Sequence, residues 1–570
     1  MKTVLFMVLF LPLSIVAQFG VKDPMLKKVV NRIDSFNKAR YTDSFPLGRF
    51  RQKDFERSYS FRKAMEGEMK AINRKGLDTN DLISLSLLEF ENKDNLASYE
   101  YKHYLNPLLS DYGFHIAFVG ESGALINNGK EAEQYLKKLQ VFPVYMDDHL
   151  SLIREGLKQG ICQPPVVIEG LRSTYESHIV DDVDSSMFFR PLAKRPLMIS
   201  EQDWVKYQQR GRQLIRSIIV PQYVRLEKFF EEEYLPNTRR TLGATEMPGG
   251  QNLYQQRIDH FTTLQMPFED VYQTGLKEVA RIEDEMQQVM REVKFNGDLK
   301  AFIAMLRTDP RFYVSSPEAL LKEASFISKR IDWVLPKYFG KLPRQPYGVQ
   351  PVPAFLAPGY TAGRYSGAPI SGTRAGEYWV NTTNLSSRPL YALESLTLHE
   401  AVPGHHLQTA LTQELQHVPA FRRSYYLSAF GEGWALYSEY LGTEMGFFRD
   451  PYSRFGRLTY DMWRACRLVI DVGIHAKGWT QEQAVSYLAD HTALSMHEVN
   501  TEIVRYIAWP GQAVSYKIGE LKIRELRRKA ETALGPKFDI RAFHDMVLSQ
   551  GTVTLGILEQ MTEAFIAANR

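Results

Sequence analysis

Over most of the chain, apolar residues recur at helical spacing. Between Phe268 and Val293, apolar Val271, Leu276, Val279, Ile282, Met286 and Val289 follow one another at intervals of three to five. That is the repeat of a helix with one buried face. Asp81–Glu91, Lys130–Leu157 and Glu201–Phe230 have the same texture. Ser316-Pro317-Glu318 marks a helix start, with Ser as cap and Pro in the first turn. Thr480 with Gln483 predicts a capping box ahead of Ala484–Leu488. The pattern breaks between residues 340 and 385, where six prolines and, from Gly348 to Gly376, six glycines are concentrated. Helix cannot run through such a stretch. Glu377–Thr383 then reads as a strand by its aromatic and branched residues. Helix resumes at Ser395 and continues to the end. The predicted class is mainly α, with a small β element just ahead of a histidine-rich helix. No linker or repeat appears. The expected organisation is a helical portion over 18–340 and a catalytic portion over 341–570, sharing one continuous core.

The first residues depart from this texture. Met1-Lys2 precedes an apolar run from Val4 to Ala17, interrupted only by Pro12 and Ser14. Such a run is too short for a bilayer span, which needs about 20 residues. It predicts a signal peptide over 1–17 and a periplasmic or secreted mature protein. No cysteine follows the run, so a lipid anchor is not expected, and no other stretch is long and apolar enough to span a membrane. Lys+Arg total 70 and Asp+Glu 66, a formal charge of +4. That near balance disfavours nucleic acid as a partner. With only two cysteines, Cys162 and Cys466, a disulfide scaffold and a thiolate metal site are both excluded. A metal site would have to be built from His, Asp and Glu.

The histidines are unevenly spread. Seven of the 13 lie between His399 and His497, and three fall in Leu398-His399-Glu400-Ala401-Val402-Pro403-Gly404-His405-His406. Zinc takes His nitrogen and carboxylate oxygen in a tetrahedron. His-Glu-x-x-His works on a helix because positions i and i+4 share a face. Here i+4 is Pro403, and on a regular helix His405 at i+6 would point away from His399. Pro403 cannot donate to the carbonyl of His399, and Gly404 tolerates unusual dihedrals. A two-residue bulge at Pro403-Gly404 would restart the helix and return His405 to the side of His399. His406 at i+7 is the alternate ligand, on the same face but two turns away. Glu432, at the start of an apolar helix, is the candidate third ligand, and helix-dipole stabilisation is the other explanation for an acid there. Glu439 is a candidate partner for a ligand histidine.

The segment His399–Gln408, the run Gly431-Glu432-Gly433-Trp434-Ala435-Leu436-Tyr437, Arg505-Tyr506, Pro510-Gly511-Gln512-Ala513 and Tyr516-Lys517-Ile518-Gly519 together resemble the bacterial domain-of-unknown-function family 885. Arg364–Asn381 and Arg464–Trp479 are also similar to stretches of that family. The His-Glu-x-x-Pro-Gly-His segment resembles a variant zincin motif. The Glu-Gly-Trp-Ala run resembles Glu-Gly-Phe-Ala of aminopeptidase N-type gluzincins. That resemblance implies Glu432 as third zinc ligand. The helical texture is similar to angiotensin-converting-enzyme-like and carboxypeptidase Taq-like peptidases, which implies a large helical zincin-like fold with a deep cleft.

With zinc (Zn2+) on His399, His405 and Glu432, Glu400 would be the general base toward an activated water. Tyr506, Tyr516 and Arg505 are candidates to stabilise an oxyanion, with His475 and His497 behind them. His475 shares a helical face with Arg467 and Asp471, a trio that could equally be a structural ion-pair row. The strand, with Tyr378, Trp379 and Asn381, would pair as an edge with a peptide substrate, or equally be an ordinary core strand. Lys517 or Arg505 could hold a substrate carboxylate. The expected function is a secreted zinc metallopeptidase. The alternatives are a zinc hydrolase of ester or cell-wall amide bonds and a non-catalytic binding protein. Oligomeric state, substrate sequence and exo- or endo-cleavage are not readable from the sequence.

Overall fold

The structure is a computed structural model that describes residues 20–354, 357, 360–368 and 374–570. The expected signal peptide over 1–17 lies outside the described residues. The chain is mainly helical, and its one sheet has three strands. Eight of the helices are α1 (Phe268–Glu292), α2 (Pro317–Val334), α3 (Leu393–Glu400), α4 (His405–Glu414), α5 (Ser428–Glu444), α6 (Pro451–Lys477), α7 (Met496–Ala508) and α8 (Ser515–Leu534); α2 packs on the sheet at its first strand and α3 at its second. The predicted caps form: Ser316 accepts from the N–H of Ala319, and Thr480 and Gln483 make the reciprocal box.

The buried stripe of α1 is Val271, Gly275, Val279, Ile282, Met286 and Val289. Gly275, not Leu276, lies on the seam, and Leu276 is left 37% exposed. The cause is close approach to α6: a Cβ on Gly275 would stand 2.7 Å from Leu468 Cβ and 3.1 Å from the backbone of Val469. Only glycine lets the two axes come that near, and the helix rotates to bring it there.

The strands are β1 (Tyr347–Pro351), β2 (Gly363–Ser366) and β3 (Gly376–Val380). The sequence predicts β3 over Glu377–Thr383, as a substrate-pairing edge or as an ordinary core strand. The strand ends at Val380 and is central, parallel to β1 on one side and antiparallel to β2 on the other. Both of its backbone edges are therefore committed, and β2 is the edge strand beside α3. The glycines and prolines that rule out helix over 340–385 also mask β1 and β2 as strands.

Apolar residues from Ala244 onward, including the buried faces of α1 and α2, pack into the same core as α3–α8, joined by Ile83, Leu87 and Val167. A second, aromatic-rich core is built between Leu47 and Tyr234. Cys162 and Cys466 are buried free thiols. Among the described residues no helix is long and apolar enough to cross a membrane.

Candidate metal centre

The helix carrying His399 and Glu400 stops at Glu400 and restarts at His405. The break spans Ala401–Gly404, four residues rather than the expected two. Ala401 (φ −93°, ψ −110°) and Gly404 (φ −71°, ψ −130°) lie outside both helical and extended geometry. The turn is tied back at both ends: the N–H of Gly404 donates to Leu398 O at 3.0 Å and that of His406 to Ala401 O at 3.0 Å. Trp434 on α5 pins its middle, donating from Nε1 to Pro403 O at 2.8 Å. Gly404 has a negative φ, so left-handed backbone is not why glycine stands there. A Cβ would lie 1.9 Å from His399 O and 2.5 Å from Leu398 O, and no side chain fits.

The turn brings His405 beside His399, with ring centroids 4.8 Å apart and planes at 87°. Glu432 reaches both from α5: its Oε2 is 3.5 Å from Nε2 of His399 and 3.5 Å from Nε2 of His405. Ligand atoms of all three residues lie within 4.8 Å of one another. His406 turns elsewhere. It is 1% exposed, its Nδ1 bonds the Tyr365 hydroxyl at 3.1 Å, its ring packs on Tyr347, and burial lowers its basicity to about 4.

Glu432 is held in place by its neighbours. A Cβ on Gly431 would stand 2.4 Å from the Tyr426 ring, and one on Gly433 2.6 Å from the backbone of Gly519 on α8. Glu432 therefore sits where α5 touches both, and Tyr426 donates to its Oε1 at 2.6 Å. Behind His399, Nδ1 donates to Glu439 Oε1 at 2.7 Å, with Arg464 at 3.7 Å from the same oxygen. Burial opposes charge on His399, but Glu432 and Glu439 outweigh it and hold the imidazolium up to about 9. Burial likewise opposes ionisation of Glu432, and His405 and His399 hold its carboxyl well below the usual range. Glu400 is 8% exposed, and its Oε2 accepts from the backbone N–H of Tyr365 on edge strand β2 at 2.8 Å. Arg364, next on that strand, lies in the field of Glu400 and Glu432.

The donor chemistry fits zinc, which favours two imidazoles and a carboxylate with a position to spare. Two ligand atoms about 2.0–2.1 Å from one zinc at the tetrahedral angle are about 3.3–3.4 Å apart. The two 3.5 Å separations match that figure and are long for hydrogen bonds. The Glu439 contact fixes His399 so that Nε2 faces the site, as carboxylate partners of metal histidines do.

Several expected residues lie elsewhere. Lys517 does not reach a substrate site. It is fully buried, with Nζ at 2.5 Å from Asp461, 2.6 Å from Glu520 and 3.1 Å from Glu278. His475 does not bond His399, His405 or Glu432: its Nδ1 accepts from the N–H of Ala244 and its Nε2 bonds Tyr506 O. No ion-pair row forms on that face either, because Arg467 bonds Glu502 and Tyr506 while Asp471 bonds Tyr254 and Gly511. Tyr506 is 1% exposed, and its hydroxyl accepts from Trp463 and Arg467. Tyr378 and Asn381 are buried. Tyr378 bonds Thr397 of α3, and Asn381 donates to the carbonyls of Ala357, Tyr360 and Thr361. Trp379, half-buried, donates to its neighbour Glu377. Arg505 does bond Tyr516, at 3.2 Å, and Tyr516 acts electrostatically on Tyr426 at the site. Tyr365, Tyr426 and Arg364 were not singled out from sequence. Tyr426, six residues before Glu432, is visible only once the Gly431 contact is known.

A family model described as "Bacterial protein of unknown function (DUF885)" matches residues 41–561. The chain belongs to this family. The DUF885 chain is similar to a candidate lipoprotein from Colwellia psychrerythraea, with 26% identity, a TM-score of 0.86, and coverage of 95% of this chain and 98% of that one. It also shares its fold with a candidate lipoprotein of unknown function from Shewanella oneidensis, with 18% identity, a TM-score of 0.71, and coverage of 95% and 99%. No curated protein matches.

Proposed function

We propose that the chain is an exported zinc-dependent peptidase whose metal is held by His399, His405 and Glu432. One observation carries the reading: two imidazole nitrogens stand 3.5 Å from one carboxylate oxygen, with a second carboxylate behind His399. When bound, zinc supplies a Lewis acid that polarises a carbonyl and makes water acidic near neutral pH. Glu400, next to the first ligand, is the general base. Its bond to Tyr365 N–H orients the carboxylate, and it takes the proton from the attacking water. Tyr426, with Tyr516 and Arg505 beyond it, supplies donors on the Glu432 side. The peptide class is supported by β2, an edge strand whose backbone already contacts Glu400. The apolar leader and the lipoprotein description of both structural relatives support export.

Metal analysis of the purified chain tests the reading. Wild type should carry about one zinc, as three protein ligands with one open position imply. His399→Ala and Glu432→Ala should lose it, whereas Glu400→Gln should keep it and lose hydrolysis across a peptide panel. Zinc absent from wild type sinks the proposal. Cleavage of esters or muropeptides but not peptides would reassign the bond, and a Glu400→Gln effect on stability alone would leave a binding protein.

A further inference from the structure

The two cations that the sequence puts forward for a substrate carboxylate are both committed. Lys517 is enclosed by three acids. Arg505 pairs with Glu502 at 3.0 Å and donates to Gln512 at 2.6 Å. Arg464 is 4% exposed, lies behind Glu439 and donates to Tyr460 O.

Arg364 on edge strand β2 is placed differently. Its carbonyl carbon is bonded to the nitrogen of Tyr365, and that N–H donates to Glu400 at 2.8 Å. The residue therefore stands directly beside Glu400. Tyr365 turns its ring toward His406, so the alternation of a strand puts Arg364 on the opposite face, across from Trp379. Arg364 is exposed. Crowding by the protein opposes its charge, and Tyr360, Glu400 and Glu432 outweigh it. Both acids act at a distance, and among the described residues no carboxylate pairs with Arg364. Their oxygens have other partners: Glu400 accepts from Tyr365 N–H, and Glu432 accepts from Tyr426 and faces the two imidazoles.

We propose that Arg364 receives the C-terminal carboxylate of a peptide lying along β2, which makes the protein a carboxypeptidase. The inference rests on the zinc-peptidase reading and narrows its substrates to peptides with a free C-terminus. A guanidinium offers two parallel N–H donors that match a carboxylate. Its place on the strand beside Glu400 fixes the chain end close to the bond that is cut. Water adds its oxygen to the scissile carbonyl carbon and the C–N bond breaks. The two water protons end on the leaving amine, the first by way of Glu400. The fragment released is an amino acid or short peptide that carries the carboxylate held by Arg364.

N-acetylated tripeptides with apolar, acidic or basic last residues, each as free acid and as C-terminal amide, test the assignment. They are titrated calorimetrically into Glu400→Gln protein and offered to wild type for cleavage. At least one acid should bind about 10- to 100-fold tighter than its amide, the scale of hydrogen bonds to a charged group, and wild type should shorten that acid from its C-terminus. Arg364→Gln should bring the acid down to the level of the amide with zinc retained. Arg364→Lys, which keeps the charge without the paired donors, should keep part of the preference. Equal binding of acid and amide, or a preference that survives Arg364→Gln, overturns the assignment. Zinc absent from the protein sinks the peptidase reading instead, and an acid preference that needs Arg364 would still uphold the carboxylate site.

Discussion

Replacing Gly404 by alanine adds one methyl group at the point where the two halves of the metal segment turn on each other. The added Cβ would lie 1.9 Å from the carbonyl oxygen of His399 and 2.5 Å from that of Leu398. Ordinary contact for such a pair begins near 3.4 Å, so backbone must move by more than an ångström. The partner is a carbonyl in α3, not the end of a flexible side chain, and it belongs to a metal-site residue. Overpacking of this kind costs about 1–3 kcal/mol. Spread over a chain of 570 residues, that is a small change in melting temperature. The larger effect should be on zinc. A shift of that size takes His405 out of the spacing that two ligands of one ion require, so zinc affinity should fall by about tenfold or more, the scale of lost ligand orientation. Competition with a chromophoric chelator measures it, with melting curves recorded on the same samples. Gly67 is the control: it lies in the exposed face of the helix Gln52–Lys70, and a Cβ added there would meet nothing within 4 Å. Gly67→Ala should leave zinc untouched and raise stability by about 0.5–1 kcal/mol. Unchanged zinc affinity in a folded Gly404→Ala protein would refute the close-approach argument.

Three further substitutions probe other parts of the molecule. Glu439→Gln should weaken zinc binding by about 10–100-fold while leaving the fold intact, and equal chelator competition curves for variant and wild type would remove Glu439 from the site. Lys517→Met strips the cation from Asp461, Glu520 and Glu278. It should cost about 3–5 kcal/mol in urea unfolding with zinc affinity unchanged, whereas altered peptide affinity at unchanged stability would restore a substrate role. Burial raises the Asp471 carboxyl to about 7, against the pull of Tyr254 and Gly511. The folded state therefore binds this proton more tightly than the unfolded chain, whose value is about 3.9. The stability it lends is present below about pH 4 and is lost as pH rises to about 7. Melting of Asp471→Asn at pH 5 and pH 8 should show a smaller loss than wild type, and parallel curves would contradict the shift.

That His399 and His405 come together was legible in sequence because the cause is local: His, Glu, Pro, Gly and His within seven residues limit the ways two imidazoles can meet. Glu432 was picked out by its place at a helix start and by the resemblance of its Glu-Gly-Trp-Ala run, and Glu439 by lying two helical turns further along the same helix. What local spacing cannot carry is pairing at a distance. Whether Glu377–Thr383 is an edge or a central strand depends on β1 and β2, whose own residues are dominated by turn formers. Lys517 in Tyr-Lys-Ile-Gly looks like a free cation until three acids from α1, α6 and its own helix are brought to it. Leu276 fits the period of α1 as well as Gly275 does, and only the closeness of α6 selects the glycine. His475 and Tyr506 have the right chemistry for a site, but both are buried in the core, where His475 Nε2 bonds the Tyr506 carbonyl.

Where α5 crosses α8, Gly433 and Gly519 meet backbone to backbone, with no side chains between the axes. A joint of that kind has no rotamers to exchange and little slack to take up. Glu432 is thus mounted on the stiff side of the site, while His399 and His405 flank a non-helical turn. Drift in the shape of the site, through warming or through mutation, should come from the histidine side. On the proposed zinc reading, an attempt to retune the site for a larger or smaller ion would therefore begin in Ala401–Gly404 and leave the glycine crossing alone.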